Sequence, residues 1–186
     1  SGTAKIEIIN NGVTVTSGAV TGNEPASPLK SNAIELQGLS VALNDNDGTE
    51  TVHSILLSGV PVGFLLYVGN SAGDATVAAQ ASNAGGDGTT NTWVLSSDGT
   101  MPAYVAILPA TNWSGTLSAA NGNGLSLVVE SGEQSLPTTL VQTVPLAPIT
   151  VNAVANGVTI DPTLSFGTEG RIVDLNLNAS MADAAL

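Results

Sequence analysis

Apart from a weakly Ala-rich tail, no stretch of this chain sustains a helical apolar period for ten residues, which removes every fold built on packed helices. What recurs is a short run rich in Val, Ile, Leu and Thr, about every 8–15 residues, punctuated by Gly and Pro. Spacing of that kind predicts an all-β chain folded as an antiparallel β-sandwich. Only 3% of the residues are aromatic, so the core must be built from Val, Leu, Ile and Ala, at least two of which favour strands through branching at Cβ.

Taken in order, residues 4–9 alternate as a strand, Asn10-Asn11-Gly12 turns the chain, and Val13 to Thr16 returns it as a hairpin. Residues 21–32, with Pro25 and Pro28, read as a connection. Ala33 to Leu43 reads as a strand broken or bulged at Gly38. Strands follow at residues 51–57 and 64–68, separated by a turn over 58–63. Residues 69–91 read as a long loop with a short strand near Thr76 to Ala78. Further strands are expected at 93–95, 103–108, 114–118, 125–130, 140–144, 149–154, 158–160 and 171–179. Gly167-Thr168-Glu169, Ile172-Val173-Asp174 and Met181-Ala182-Asp183 echo Gly22-Asn23-Glu24, Ile34-Glu35-Leu36 and Leu43-Asn44-Asp45, so a second module begins near residue 153. The expected organisation is an N-terminal hairpin and connection over 1–28, a sandwich over 29–152, and over 153–186 either the start of a following module or strands completing a split domain. Both ends are too short to stand alone and are expected to pair with each other or to dock on the sandwich.

Three basic residues against fifteen acidic ones give a net charge of -12, which repels phosphate backbones and anionic membranes. Neither nucleic-acid binding nor membrane insertion is expected, and no apolar run approaches the ~18 residues that a spanning helix needs. Without Cys there are no disulfides and no thiolate metal sites.

The densest chemistry lies in Asn44-Asp45-Asn46-Asp47-Gly48-Thr49-Glu50, where three carboxylates and two amides are crowded between two apolar runs. Two readings fit. Crowded carboxylates raise one another's pKa and are best tolerated around a hard cation such as calcium, which takes six to eight oxygens. Alternatively, Asp-Gly with Asn and Thr makes a solvated hairpin turn. An EF-hand is excluded, because with Gly48 as its invariant glycine the first ligand position falls on Leu43 and the last on Ser54. Catalysis has little to work with. His53 is the only histidine, expected at an exposed or edge position, and no nucleophile elbow occurs. Gly85-Gly86-Asp87-Gly88 suggests a calcium nonapeptide but has no second copy on which to stack. Trp93 and Trp113 fall at strand positions, where core packing is the expected role and a sugar-stacking platform the rival one.

The ordered set Asp45-Asn46-Asp47-Gly48-Thr49-Glu50-Thr51, Leu57-Ser58-Gly59-Val60-Pro61-Val62-Gly63, Thr92-Trp93-Val94-Leu95, Pro109-Ala110-Thr111-Asn112-Trp113-Ser114-Gly115, Val151-Asn152-Ala153-Val154-Ala155-Asn156 and Gly167-Thr168-Glu169 resembles the tandem immunoglobulin-like or cadherin-like modules of large bacterial RTX adhesins, exported by type I secretion. The likeness covers roughly residues 33–183. It implies an immunoglobulin-like sandwich, a secreted protein at the bacterial cell surface, and a calcium ion held by Asp45, Asp47 and Glu50, with Glu169 a candidate at the module junction. Asn156 and Gly170 depart from the family pattern, which commonly has Asp there, and weaken that second junction. The implied role is a non-enzymatic, calcium-stiffened spacer, monomeric, whose partners are neighbouring modules of the same chain. The rival role is a module that grips a glycan or peptide through the 69–91 loop, with Asp74 or Asp87 supplying a calcium-bridged contact.

Overall fold

The computed structural model describes residues 12–45, 48–81, 88–134, 139–155, 158–162, 166–173 and 177–181. They belong to two compact units, residues 1–153 and 154–186. In chain order the strands of the first are β1 (Val13–Thr16), β2 (Val20–Asn23), β3 (Ile34–Glu35), β4 (Ser40–Leu43), β5 (Glu50–Pro61), β6 (Leu65–Gly69), β7 (Thr76–Val77), β8 (Thr90–Ser96), β9 (Tyr104–Leu108), β10 (Gly115–Leu117), β11 (Ser126–Glu133), β12 (Thr139–Pro145) and β13 (Ile149–Asn152). The second holds β14 (Val158–Pro162) and β15 (Leu177–Met181). Among the described residues the only helical turns are two short 3-10 pieces, Lys30–Asn32 and Ala119–Asn121, so the fold is all-β of the sandwich type.

One antiparallel sheet runs in the order β12, β11, β5, β8. Side chains alternate between faces along a strand, and here Leu57 and Ile55 of β5 lie opposite Leu127 and Val129 of β11, all four buried. A second antiparallel sheet runs β3, β9, β6, β7, and a third, β10, β13, β2, has β2 parallel to β13. Ile34, Leu66, Val105 and Ile107 from the second, and Leu117, Ile149 and Val151 from the third, meet the first sheet's residues in one core. Each such side chain removed from water contributes about 1.5–3 kcal/mol. The remaining face of β6 and β9 is also covered, since Tyr67, Ala106, Leu108 and Ala75 form a separate cluster. A strand buried on both faces explains why Val105 to Leu108 is an unbroken apolar run.

Several elements differ from the sequence expectation. Residues 21–23 are not connection but most of β2, held by a parallel partner more than a hundred residues away in the chain. Gly22 hides the strand signal, yet its lack of a side chain is what the site requires, because a Cβ there would come within 2.5 Å of the Ile34 side chain. Of the two alternatives for residues 33–43, broken or bulged at Gly38, the structure has the break: β3 and β4 are separate strands. Gly38, at φ +66, turns the chain so that β3 joins β9 while β4 joins β1. β5 runs on through the expected turn to Pro61, shifting register between Leu57 and Val60. The strand expected over 171–179 is β15, while residues 171–173 lie outside strands and 174–176 outside the described residues. The hairpin arm expected at 4–9 likewise lies outside them, and the described ladder partner of β1 is β4. β14 and β15 pair with each other.

His53 is not exposed. It is half-buried on β5, beyond the Ile55 end of the β8 ladder and at the residue skipped where the β5–β11 register shifts. Trp93 is core, 2% exposed, whereas Trp113 is half-buried with its ring edge-on to Phe64 at 4.9 Å between centroids.

Candidate metal centre

The acidic turn joins β4 to β5. Its entry is fixed where the Asn44 N–H donates to the Gly12 carbonyl at 2.9 Å, and its exit where the Gln134 N–H donates to the Thr49 carbonyl at 2.9 Å. Gly48 sits at φ +86, a conformation that costs an L side chain about 1–2 kcal/mol and glycine nothing. Asp45 is half-buried in this turn. Glu50, the first residue of β5, is 5% exposed.

Across the ladder from Glu50 stands Glu133, the last residue of β11. Directly opposed residues project from the same face of a sheet. Alternation along β11 puts Glu133 on the side of Leu127, Val129 and Ser131, so both carboxylates project from the core-facing side at one end of the sheet. The bulge at His53 creates the pair: in the register that β5 and β11 keep from Leu57 to Ser54, Glu133 would have faced Thr51. His53 itself lies with Nε2 3.3 Å from the Thr51 hydroxyl and 3.4 Å from the Gly132 carbonyl.

Of the four residues expected to hold the metal, the structure places Asp45 in the turn and Glu50 at its exit. Asp47 lies outside the described residues, and Glu169 is exposed in a turn of the second unit. Among the described residues no three His, Cys, Asp or Glu side chains converge as a metal cluster. Glu133 escaped the sequence reading because it lies beyond the expected end of its strand, and only the bulged register puts it beside Glu50. The opposed pair Glu50 and Glu133 offers carboxylate oxygen only, which suits a hard cation and not a soft one, and Asp45 lies in the same turn without converging on the pair as a third ligand. A buried carboxylate beside a second one is costly unless charge of opposite sign compensates it.

Other carboxylates are committed to their own turns. The Ser71 hydroxyl and N–H donate to Asp74 Oδ1 at 2.9 and 2.7 Å and hold that carboxyl below the usual range. The Thr100 N–H and Ser96 hydroxyl do the same for Asp98, at 2.9 and 2.8 Å. Asp87 lies outside the described residues. A recess of about 490 Å³ opens beside Trp113, between Thr89, Thr90 and Gly122 to Gly124. The Asn123 amide on its wall is engaged, accepting from the Ser118 N–H and donating to the Thr116 carbonyl, each at 3.1 Å.

Fold and site define an all-β, sandwich-type module with an acidic, oxygen-only corner. Comparison with family models, with curated proteins and with solved structures finds no match. Among the described residues no helix is long and apolar enough to cross a membrane.

Proposed function

We propose that this chain is a non-enzymatic structural module of a bacterial cell-surface adhesin, and that calcium bound at the acidic corner stiffens it as a spacer. The observation that carries the reading is the opposition of Glu50 and Glu133 at the exit of the acidic turn. Asp45, Glu50 and Glu133 would supply the described carboxylates, with Asp47 as a further candidate. Calcium supplies positive charge where these groups otherwise repel, so the turn between β4 and β5 and the end of β11 become one tied corner. Without the ion, repulsion loosens the corner and the module flexes there.

Binding only to the folded state raises stability by ligand linkage, about 2.7 kcal/mol at a hundred times the dissociation constant. Thermal unfolding in millimolar calcium and in EDTA, with calorimetric counting of bound ions, tests the reading. A rise in melting temperature with saturable calcium binding supports it. Superimposable melts with no binding heat overturn it.

A second reading, a glycan-binding module, has one observation in its favour: the recess beside Trp113 is walled by Thr89 and Thr90 at the end of the 69–91 stretch. An aromatic face with hydroxyls beside it is the surface chemistry that sugar rings use. A glycan array with and without calcium separates the two readings, since a spacer shows no ligand in either condition.

A further inference from the structure

The register of β14 on β15 repeats that of β1 on β4. In the first unit Val13 lies opposite Leu43, Thr14 opposite Ala42, Val15 opposite Val41 and Thr16 opposite Ser40. In the second, Val158 lies opposite Met181, Thr159 opposite Ser180, Ile160 opposite Ala179 and Asp161 opposite Asn178. Both pairs are antiparallel and start from the same sequence, Asn-Gly-Val-Thr followed by Val or Ile: Asn11 to Val15 in one, Asn156 to Ile160 in the other. The internal repeat thus extends back to β1. The echo of Gly22-Asn23-Glu24 in Gly167-Thr168-Glu169 then falls at the same distance beyond each first strand, and only the connection into the second strand is shorter.

What differs is cover. In the first unit Val15, Val41 and Leu43 pack against the core and Ile34 is 8% exposed. In the second unit Ile160, at the position of Val15, is 61% exposed, and Ile172, which the repeat aligns with Ile34, is 97% exposed. An isolated strand pair is marginal in water, and large apolar side chains left open mark a surface made to be covered.

We infer that β14 and β15 are the opening strand pair of a second module of the same kind, and that the exposed Ile160 and Ile172 are contacts for a sandwich body like that of residues 44–153. Identical register fixes the partner, because the body that covers Val15 and Ile34 offers the complementary surface. This goes beyond the proposed function and assumes nothing about calcium.

The test extends the chain to Asp183 with a second copy of residues 46–153 and follows amide hydrogen exchange in EDTA. Amides of Thr159, Ile160, Ala179 and Ser180, fast in the 186-residue chain, should slow at least 100-fold, and Ile160→Asp should abolish that gain while leaving β1 and β4 protected. No gain, or an equal gain from an unrelated sandwich, overturns the inference. Slowing in the unextended chain that grows with protein concentration also overturns it, because the cover would then be a second molecule. Should the extended chain not fold, the 186-residue chain carrying Val15→Ile, Thr16→Asp, Ser40→Asn, Val41→Ala, Ala42→Ser and Leu43→Met answers the same question. Its first unit should unfold cooperatively, well above a control with the same residues placed one position out of register, and equal melting of the two overturns the inference.

Discussion

Glu50 and Glu133 lie directly opposite each other at the end of the β5–β11 ladder, and on the core-facing side. Like charges so placed repel, and a cation is the simplest relief. Glu133→Gln should therefore stabilise the calcium-free protein, or leave it unchanged, while sharply reducing the calcium-induced rise in melting temperature. Glu50→Gln should reduce that rise as much. Melts of the three proteins across a calcium titration check this, and an undiminished rise in both variants would remove the pair from the site.

Gly99 and Gly122 both hold a left-handed backbone, at φ +82 and +74, yet they differ in surroundings. A Cβ on Gly99 would meet the carbonyl oxygen of Val52, a backbone atom that cannot swing aside, whereas one on Gly122 meets nothing within 4 Å. Gly122→Ala should cost about 1 kcal/mol, the strain alone. Gly99→Ala should cost about 3 kcal/mol or more, since β5 must shift as well. Urea unfolding of the two variants gives both values.

The main architecture was legible where β-branched and apolar runs stand between turn residues, as at Val52 to Leu57 and Leu125 to Val129. Which face is core was not, because Leu56 and Val128, between the buried pairs Ile55 and Leu57, and Leu127 and Val129, are themselves apolar. β2 could not be placed from sequence, because Val20-Thr21-Gly22-Asn23 owes its conformation to β13 rather than to its own pattern. At the acidic turn, Asp45 and Glu50 were visible as a local cluster. Glu133 was not, because what brings it there is one skipped residue at His53, and a bulge leaves no mark in composition.

Asp74 and Asp98 are exposed, and hydrogen bonds to their charged forms lower both pKa values: from the Ser71 hydroxyl and N–H for Asp74, from the Thr100 N–H and Ser96 hydroxyl for Asp98. A carboxyl whose folded pKa is depressed contributes stability that is present above its unfolded pKa and is lost as pH falls through the folded one. Both carboxyl carbons should thus titrate below the ordinary carboxylate range by NMR. Ser96→Ala should move Asp98 up towards that range and leave Asp74 in place. Unshifted titrations would mean that these turns do not persist in solution.

Trp93 packs in the core while its indole N–H, fully buried, finds no acceptor among the described residues. Two effects of opposite sign then meet in Trp93→Phe. Loss of ring volume opens a cavity, and deletion of aromatic bulk from a core usually costs about 3–5 kcal/mol when taken all the way to Ala. Removing a stranded donor returns about 1–3 kcal/mol of desolvation. Phe keeps most of the ring, so the net loss should be about 1 kcal/mol or less, against about 3 kcal/mol for Leu57→Ala, which has no polar atom to relieve. Trp113→Phe keeps its ring edge near Phe64 and leaves Trp93 as the sole tryptophan, whose emission should lie at short wavelength and resist iodide quenching. A loss above about 3 kcal/mol in Trp93→Phe would show that the N–H has an acceptor after all, such as a buried water that the substitution strands in turn.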